Sequence, residues 1–137
     1  MSENDNIRKL QELYEAFGRG DINMILSNVT DDVDWGTDTT ATEVPWYPIR
    51  HGRDGVGDFF ATLDREVEFT NFAPGNFAGV GDRVYAHVEI GYKLKRNGRE
   101  ASTGSVHEFT LRDGRIARFR AFEDTASVRD DGTDDSG

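Results

Sequence analysis

SVHEFTLRDGRIARFRAFED, residues 105–124, alternates apolar and polar side chains on both sides of Asp113-Gly114. Alternation of this kind marks half-buried strands, and Asp-Gly between two such runs marks a hairpin. A two-residue turn would set Phe109 against Arg118 and His107 against Arg120, mixing the faces. A three-residue loop, Arg112-Asp113-Gly114 with glycine in the left-handed bulge position, pairs Glu108 with Arg118 and His107 with Phe119. This second register is self-consistent, and it puts His107, Phe119 and Glu123 on one wall.

Asn97-Gly98 reads as the turn before it. As a two-residue turn it pairs Lys95 with Glu100 and Val88 with His107, so that apolar residues meet mostly apolar ones. The inner face of a three-stranded meander then carries the rows Val88–His107–Phe119, Ile90–Ser105–Ala121 and Tyr92–Thr103–Glu123. The outer face carries His87–Glu108–Arg118 and Glu89–Val106–Arg120, with Tyr85–Thr110–Ile116 beside them, a charged lattice with some apolar content. Four residues of strand separate His107 from the row of Glu123, about 13 Å by strand rise.

Upstream, Ile7, Leu10, Leu13, Tyr14 and Phe17 recur at helical spacing, predicting an amphipathic helix from about residue 5 to 18. Asp21 is an N-cap for a shorter helix carrying Ile22, Ile25, Leu26 and Val29. Val33 and Trp35 flank Asp34 in a short strand. Residues 37–50, TDTTATEVPWYPIR, show no period, hold two prolines, and present a Trp46-Tyr47 pair that looks exposed. A loop of this length is either functional or a cover for a core edge. Asp54 is the N-cap expected for a third helix bearing Val56, Phe59, Phe60, Leu63 and Val67. A strand with Phe69, Phe72, Phe77 and Val80 follows, interrupted at Pro74-Gly75.

The 137 residues suit one α+β domain, residues 1–128, followed by an acidic tail, residues 129–137, expected to be disordered. There is no cysteine, which excludes disulfides, thiolate metal sites and cysteine nucleophiles. A net charge of −10 argues against nucleic acid and anionic lipid as partners. No apolar run approaches a membrane span, and the start MSENDN is unlike a signal peptide, so the expected location is cytoplasmic.

His107 is the leading functional candidate: a mid-strand imidazole on the inner face can donate or accept a hydrogen bond. The alternative is a core histidine satisfied by Trp35 or a carbonyl. Glu123 is the second, since a carboxyl on an apolar face should have a raised pKa and could move a proton. Open water at the end of the sheet is its alternative surroundings. Asp34, Asp38, Glu43 and Asp124 are acidic residues near the rim. His51 reads as a surface imidazole and His87 as a partner of Glu108. The three histidines lie on different elements, so no metal motif is present.

The order of parts now carries a resemblance. GRGD between two helices, TDDVDW, a long loop, HGRDGVGDFF, GDRVYAHVEI and LRDGRIARFRAFED together resemble the nuclear transport factor 2-like superfamily, in particular its SnoaL-like polyketide-cyclase and ketosteroid-isomerase-like branch. The resemblance covers all but the tail. It implies a cone: a curved, mostly antiparallel sheet wrapped around three N-terminal helices, with a central pocket. It implies far less about activity, because the group includes isomerases, cyclases, hydrolases and non-catalytic proteins. By this resemblance the isomerases' aspartate base falls on Trp35. Their phenolic donor falls on Leu13, or on Tyr14 with a one-residue shift, and their protonated acid on His107. The epoxide hydrolases' Asp-Arg-Asp set would land on Val88, Ile90 and Ala121, which disfavours that chemistry. The cyclases' acidic base finds its nearest match in Glu123 or Asp124.

Three functions are consistent with this sequence. One is a cofactor-independent isomerase, cyclase or lyase acting on a small apolar carbonyl compound. In it His107 polarises the carbonyl, Glu123 or Asp38 moves a proton, and Trp35, Trp46, Tyr47, Phe59, Val88, Tyr92 and Phe119 surround the substrate. Another is a binding protein for a hydrophobic small molecule. The third is an association module with a filled cone. A homodimer through the outer sheet face is the oligomer that the resemblance implies.

Overall fold

The computed structural model describes residues 2–39 and 43–123, so the expected tail and Asp124 lie outside the described residues. Ser2 opens helix α1 (Glu3–Gly18): its hydroxyl accepts from the Asp5 amide while the Asp5 side chain accepts from the Ser2 amide. Asp21 caps the short α2 (Ile22–Leu26) through the Met24 amide, as expected. Helix α3 (Gly52–Glu66) starts two residues before the predicted cap. His51 holds the N-cap position without a side-chain hydrogen bond, and Asp54 lies in the first turn.

Six strands form one sheet in the order β2-β1-β6-β5-β4-β3: β1 (Val29–Thr37), β2 (Arg50–His51), β3 (Val67–Val80), β4 (Arg83–Leu94), β5 (Glu100–Arg112) and β6 (Arg115–Glu123). The β1–β6 pairing is parallel; the other four are antiparallel. The helices pack on the concave side, which gives the expected α+β cone. Leu10, Leu13 and Ala16 of α1 and Val56 of α3 meet Val84, Phe109 and Phe119 of the sheet in the main core.

Pro74 does not interrupt β3. The strand lies at the sheet edge, where an absent N–H is tolerated, and Pro74 pairs with Val88. The irregularities fall on either side instead, between Phe69 and Asn71 and between Gly75 and Ala78. Phe69 and Phe72 are three apart and would face opposite sides of a regular strand. The first bulge turns both towards the helices, with ring centroids 5.5 Å apart.

Both predicted registers need correction by two residues. Lys95 leaves the β4 ladder early, because its amide donates to Glu66 O and its Nζ to Asp64 O at the end of α3. The β4–β5 connection is therefore a four-residue loop, residues 95–98, and Lys93 rather than Lys95 faces Glu100. At Asp113-Gly114 both residues have positive φ, 54° and 79°, so the tight two-residue turn, disfavoured by side-chain pairing alone, is the one present. The expected bulge sits further along: Leu111 pairs with Ile116 and Thr110 with Arg118, leaving Ala117 extra on β6. A slip of two preserves which face each side chain of β4, β5 and β6 from Arg118 onward occupies but changes its neighbours. Before the bulge the face itself differs: Ile116, expected outside opposite Thr110, pairs with Leu111 and is buried. The inner rows are Val84–Phe109–Phe119, Ala86–His107–Ala121 and Val88–Ser105–Glu123. His107 thus has alanines on both flanks instead of Val88 and Phe119. On the outer face His87 approaches Glu89, at 3.6 Å, rather than Glu108, which is held by Arg118 at 3.3 Å.

The Trp46-Tyr47 pair is not exposed. Trp46 is 8% and Tyr47 1% accessible, and with Val44 they close a second apolar cluster over Leu63, Val67 and Tyr92. The unperiodic loop covers a core edge.

Candidate active site

Flanking a histidine with alanines leaves space that larger side chains would fill, and a cavity of about 130 Å³ lies there between the helices and the sheet. His107, Glu123 and Ala121 line it from the sheet, Tyr14 and Phe17 from α1, and Phe59 from α3. Of the predicted ligand-contacting residues, Trp35, Trp46, Phe59, Tyr92 and Phe119 also face it. Val88 is buried but does not line it, and Tyr47 reaches the site only through its hydroxyl. Asp38 is exposed, outside the lining, and tied to the sheet by a backbone hydrogen bond to Ala121 O.

Tyr14 sits half-buried on the otherwise apolar face of α1, and its hydroxyl lies 2.7 Å from His107 Nδ1. The two rings are nearly parallel, 17° apart, with Phe119 edge-on to the imidazole. Burial sets the charge states. It pushes the His107 pKa down to about 3 and raises that of the Tyr14 phenol, so both are neutral near pH 7. A phenol is a strong donor and the bare imidazole nitrogen a strong acceptor, which assigns the proton to Tyr14 and the other imidazole proton to Nε2. Nε2 makes no other hydrogen bond among the described residues and is the donor available to a ligand.

Glu123 lies at the rim of the same cavity. Burial raises its pKa, opposed by a 2.8 Å hydrogen bond from the Tyr47 hydroxyl and by a weaker pull from Ser105. Ser105 Oγ is buried beside it but is outside hydrogen-bonding geometry. The corrected register makes His107 and Glu123 diagonal neighbours, about 7–8 Å apart instead of the ~13 Å expected from the sequence. One small ligand can touch both. The indole N–H of Trp35, a residue of the cavity wall, is buried without a hydrogen bond.

Two tyrosines contribute more to the site than their sequence context signals. Tyr14 belongs to the apolar stripe of α1, and its one other signal is the one-residue shift of the resemblance. Tyr47 as partner of Glu123 carries no sequence signal, because the contact spans 76 positions. Among the described residues no His, Asp and Glu side chains cluster as metal ligands would, and no helix is long and apolar enough to cross a membrane.

A cone whose apolar cavity is tipped by a phenol–imidazole pair and a carboxyl defines a class of small-molecule pocket proteins. The family model of the SnoaL-like domain matches residues 10–119, and the chain belongs to that family. Its fold is shared with an NTF2-like protein of unknown function from Burkholderia pseudomallei K96243, 28% identical, with a TM-score of 0.86 over 98% of this chain and 100% of that one. TerC, crystallised with polyporic acid, is also 28% identical, with a TM-score of 0.77 over 92% and 96%. A protein from Xanthomonas campestris designated a candidate polyketide cyclase has the same fold at 20% identity, with a TM-score of 0.73 over 92% and 95%. No curated protein matches the chain.

The charge state of His107 has a measurable consequence. Its pKa is about 3 in the folded chain against an ordinary value of 6.5, so between these values the unfolded chain binds a proton that the folded chain does not. Stability therefore falls as pH drops below about 6.5, by about 2 kcal/mol between pH 6.5 and 5 from this group. Urea unfolding at the two pH values should show a loss smaller by at least ~1 kcal/mol in His107→Gln than in wild type. Equal losses would mean that His107 charges in the folded state.

Proposed function

We infer that the protein is a cofactor-independent enzyme moving a proton on a small apolar carbonyl compound. The observation that carries this is the convergence of a neutral Nε2–H donor and a carboxyl of raised pKa on one apolar cavity. His107 Nε2–H donates to the carbonyl oxygen and stabilises the negative charge that develops there. Glu123, as carboxylate, takes the proton from the adjacent carbon, which leaves an enol or enolate held by His107. Returning the proton to a different carbon isomerises the substrate; attack of the carbanion on a second carbonyl cyclises it. Tyr14 acts as a positioning residue, fixing the tautomer of His107. Buried apolar walls strengthen both interactions by excluding water. The co-crystallisation of TerC with polyporic acid and the cyclase designation of the Xanthomonas protein support a small-molecule substrate. A cytoplasmic workplace fits a chain without cysteine.

Trp35, at the position the resemblance gives to the isomerase base, favours a second function: a binding protein using the same cavity. Proton NMR in D2O separates the two. Wild-type protein should accelerate deuterium incorporation next to the carbonyl of small apolar ketones, and Glu123→Gln should lower that rate by about 10²–10⁴ while still binding them. Bound ketone with no exchange above buffer would leave only the binding function.

We also propose that the outer sheet face mediates a homodimer. Val106 and Phe122 are cross-strand neighbours there, 41% and 38% exposed. Phe122→Asp should convert a dimer to a monomer in light scattering; a monomeric wild type would refute the interface.

A further inference from the structure

The cavity also defines what can enter it. Its volume of about 130 Å³ is close to that of the apolar cavity, about 150 Å³, that accommodates a benzene. Its walls are apolar and rich in aromatic rings, with Trp35 packed against Phe119 and Phe59 at centroid distances of 4.4 and 5.7 Å. The volume, rather than the spacing of these rings, sets the size at about one ring.

Charge narrows the choice further. Among the described lining residues there is no lysine or arginine, and Glu123 is the one acidic group. Two arginines of low exposure, Arg50 and Arg120, are committed elsewhere. Arg50 stacks on Phe59 with its Cζ 5.9 Å from the ring centroid, but its donors go to Asp58, Pro48 O and Pro45 O at 2.9, 3.1 and 3.0 Å. Arg120 is buried by strand alternation on the side opposite Phe119, bound to Asp34 Oδ1 at 3.0 Å and Phe119 O at 2.8 Å. An anion in the cavity would face a neutral imidazole and a carboxyl, with no cation to offset its lost hydration. The protein's net charge of −10 opposes its approach as well.

We propose that the site selects an uncharged, single-ring carbonyl compound, with the carbonyl oxygen on His107 Nε2, and rejects carboxylates, phosphates and fused-ring analogues. This rests on the proton-transfer site above and adds its substrate class. It also departs from what the name of TerC's ligand, an acid, would suggest for this chain.

Trp35 and Trp46, the chain's two tryptophans, both line the cavity, so their fluorescence reports its occupancy. Acetophenone and benzoate share a skeleton and differ by a methyl against an ionised oxygen; 2-acetylnaphthalene adds a ring. Fluorescence and calorimetric titration near neutral pH should show acetophenone binding, with benzoate weaker by more than about 30-fold and 2-acetylnaphthalene weaker too. Benzoate or 2-acetylnaphthalene binding as well as acetophenone, or acetophenone not binding, overturns the proposal. A His107→Gln arm, with Tyr14→Phe in reserve if that variant does not fold, tells this failure from that of the underlying site. Unchanged acetophenone affinity with intact selectivity removes His107 from the site and leaves a neutral one-ring cavity. Lost selectivity in wild type together with weaker binding in the variant removes the substrate class and leaves the site.

Discussion

A neutral histidine inside an apolar cone needs one fixed partner, and the 2.7 Å hydrogen bond from Tyr14 to His107 Nδ1 supplies it. That bond ties the first helix to the middle of the sheet across 93 positions of chain. Without it, burial would leave an imidazole nitrogen unsatisfied, at a cost of about 1–3 kcal/mol. With it, the ring has one tautomer and one orientation, and its remaining N–H is available to the cavity. The alanines beside it, Ala86 and Ala121, keep that N–H from being packed over.

The second polar point depends on the loop before the third helix. Tyr47 is buried by the packing of Val44 and Trp46 against Leu63 and Tyr92, and from there its hydroxyl reaches Glu123. Burial and hydrogen bonding oppose each other at this carboxyl. Burial is the larger effect, so the group is less acidic than an exposed glutamate and better matched to taking and returning a proton. Core formation and site assembly are thus the same event on this side of the cone.

Local patterns make the fold legible. Helical spacing in α1 and α3, the Asp-Gly and Asn-Gly turns, and strand alternation mark the elements and their faces, and so place His107 and Glu123 inside. Register is less legible, because it is decided by contacts that no local pattern encodes. Lys95 is pulled out of its ladder by the carbonyls of α3, and Ala117 takes a bulge expected three residues earlier. The first slip replaces Val88 by Ala86 beside His107, and the second brings Glu123 one row closer to it. The partner tyrosines are hidden for a related reason: a hydroxyl on an apolar stripe, or in a loop without period, does not announce a contact 76 or 93 positions away.

The site depends on the protonation of one ring, which long-range proton–nitrogen NMR of the imidazoles reads directly. His107 should give the signals of a neutral ring from pH 5 to 8, with the proton on Nε2 and Nδ1 bare. A proton on Nδ1, or a positively charged ring in that range, would contradict the Tyr14 hydrogen bond as the organising contact of the site.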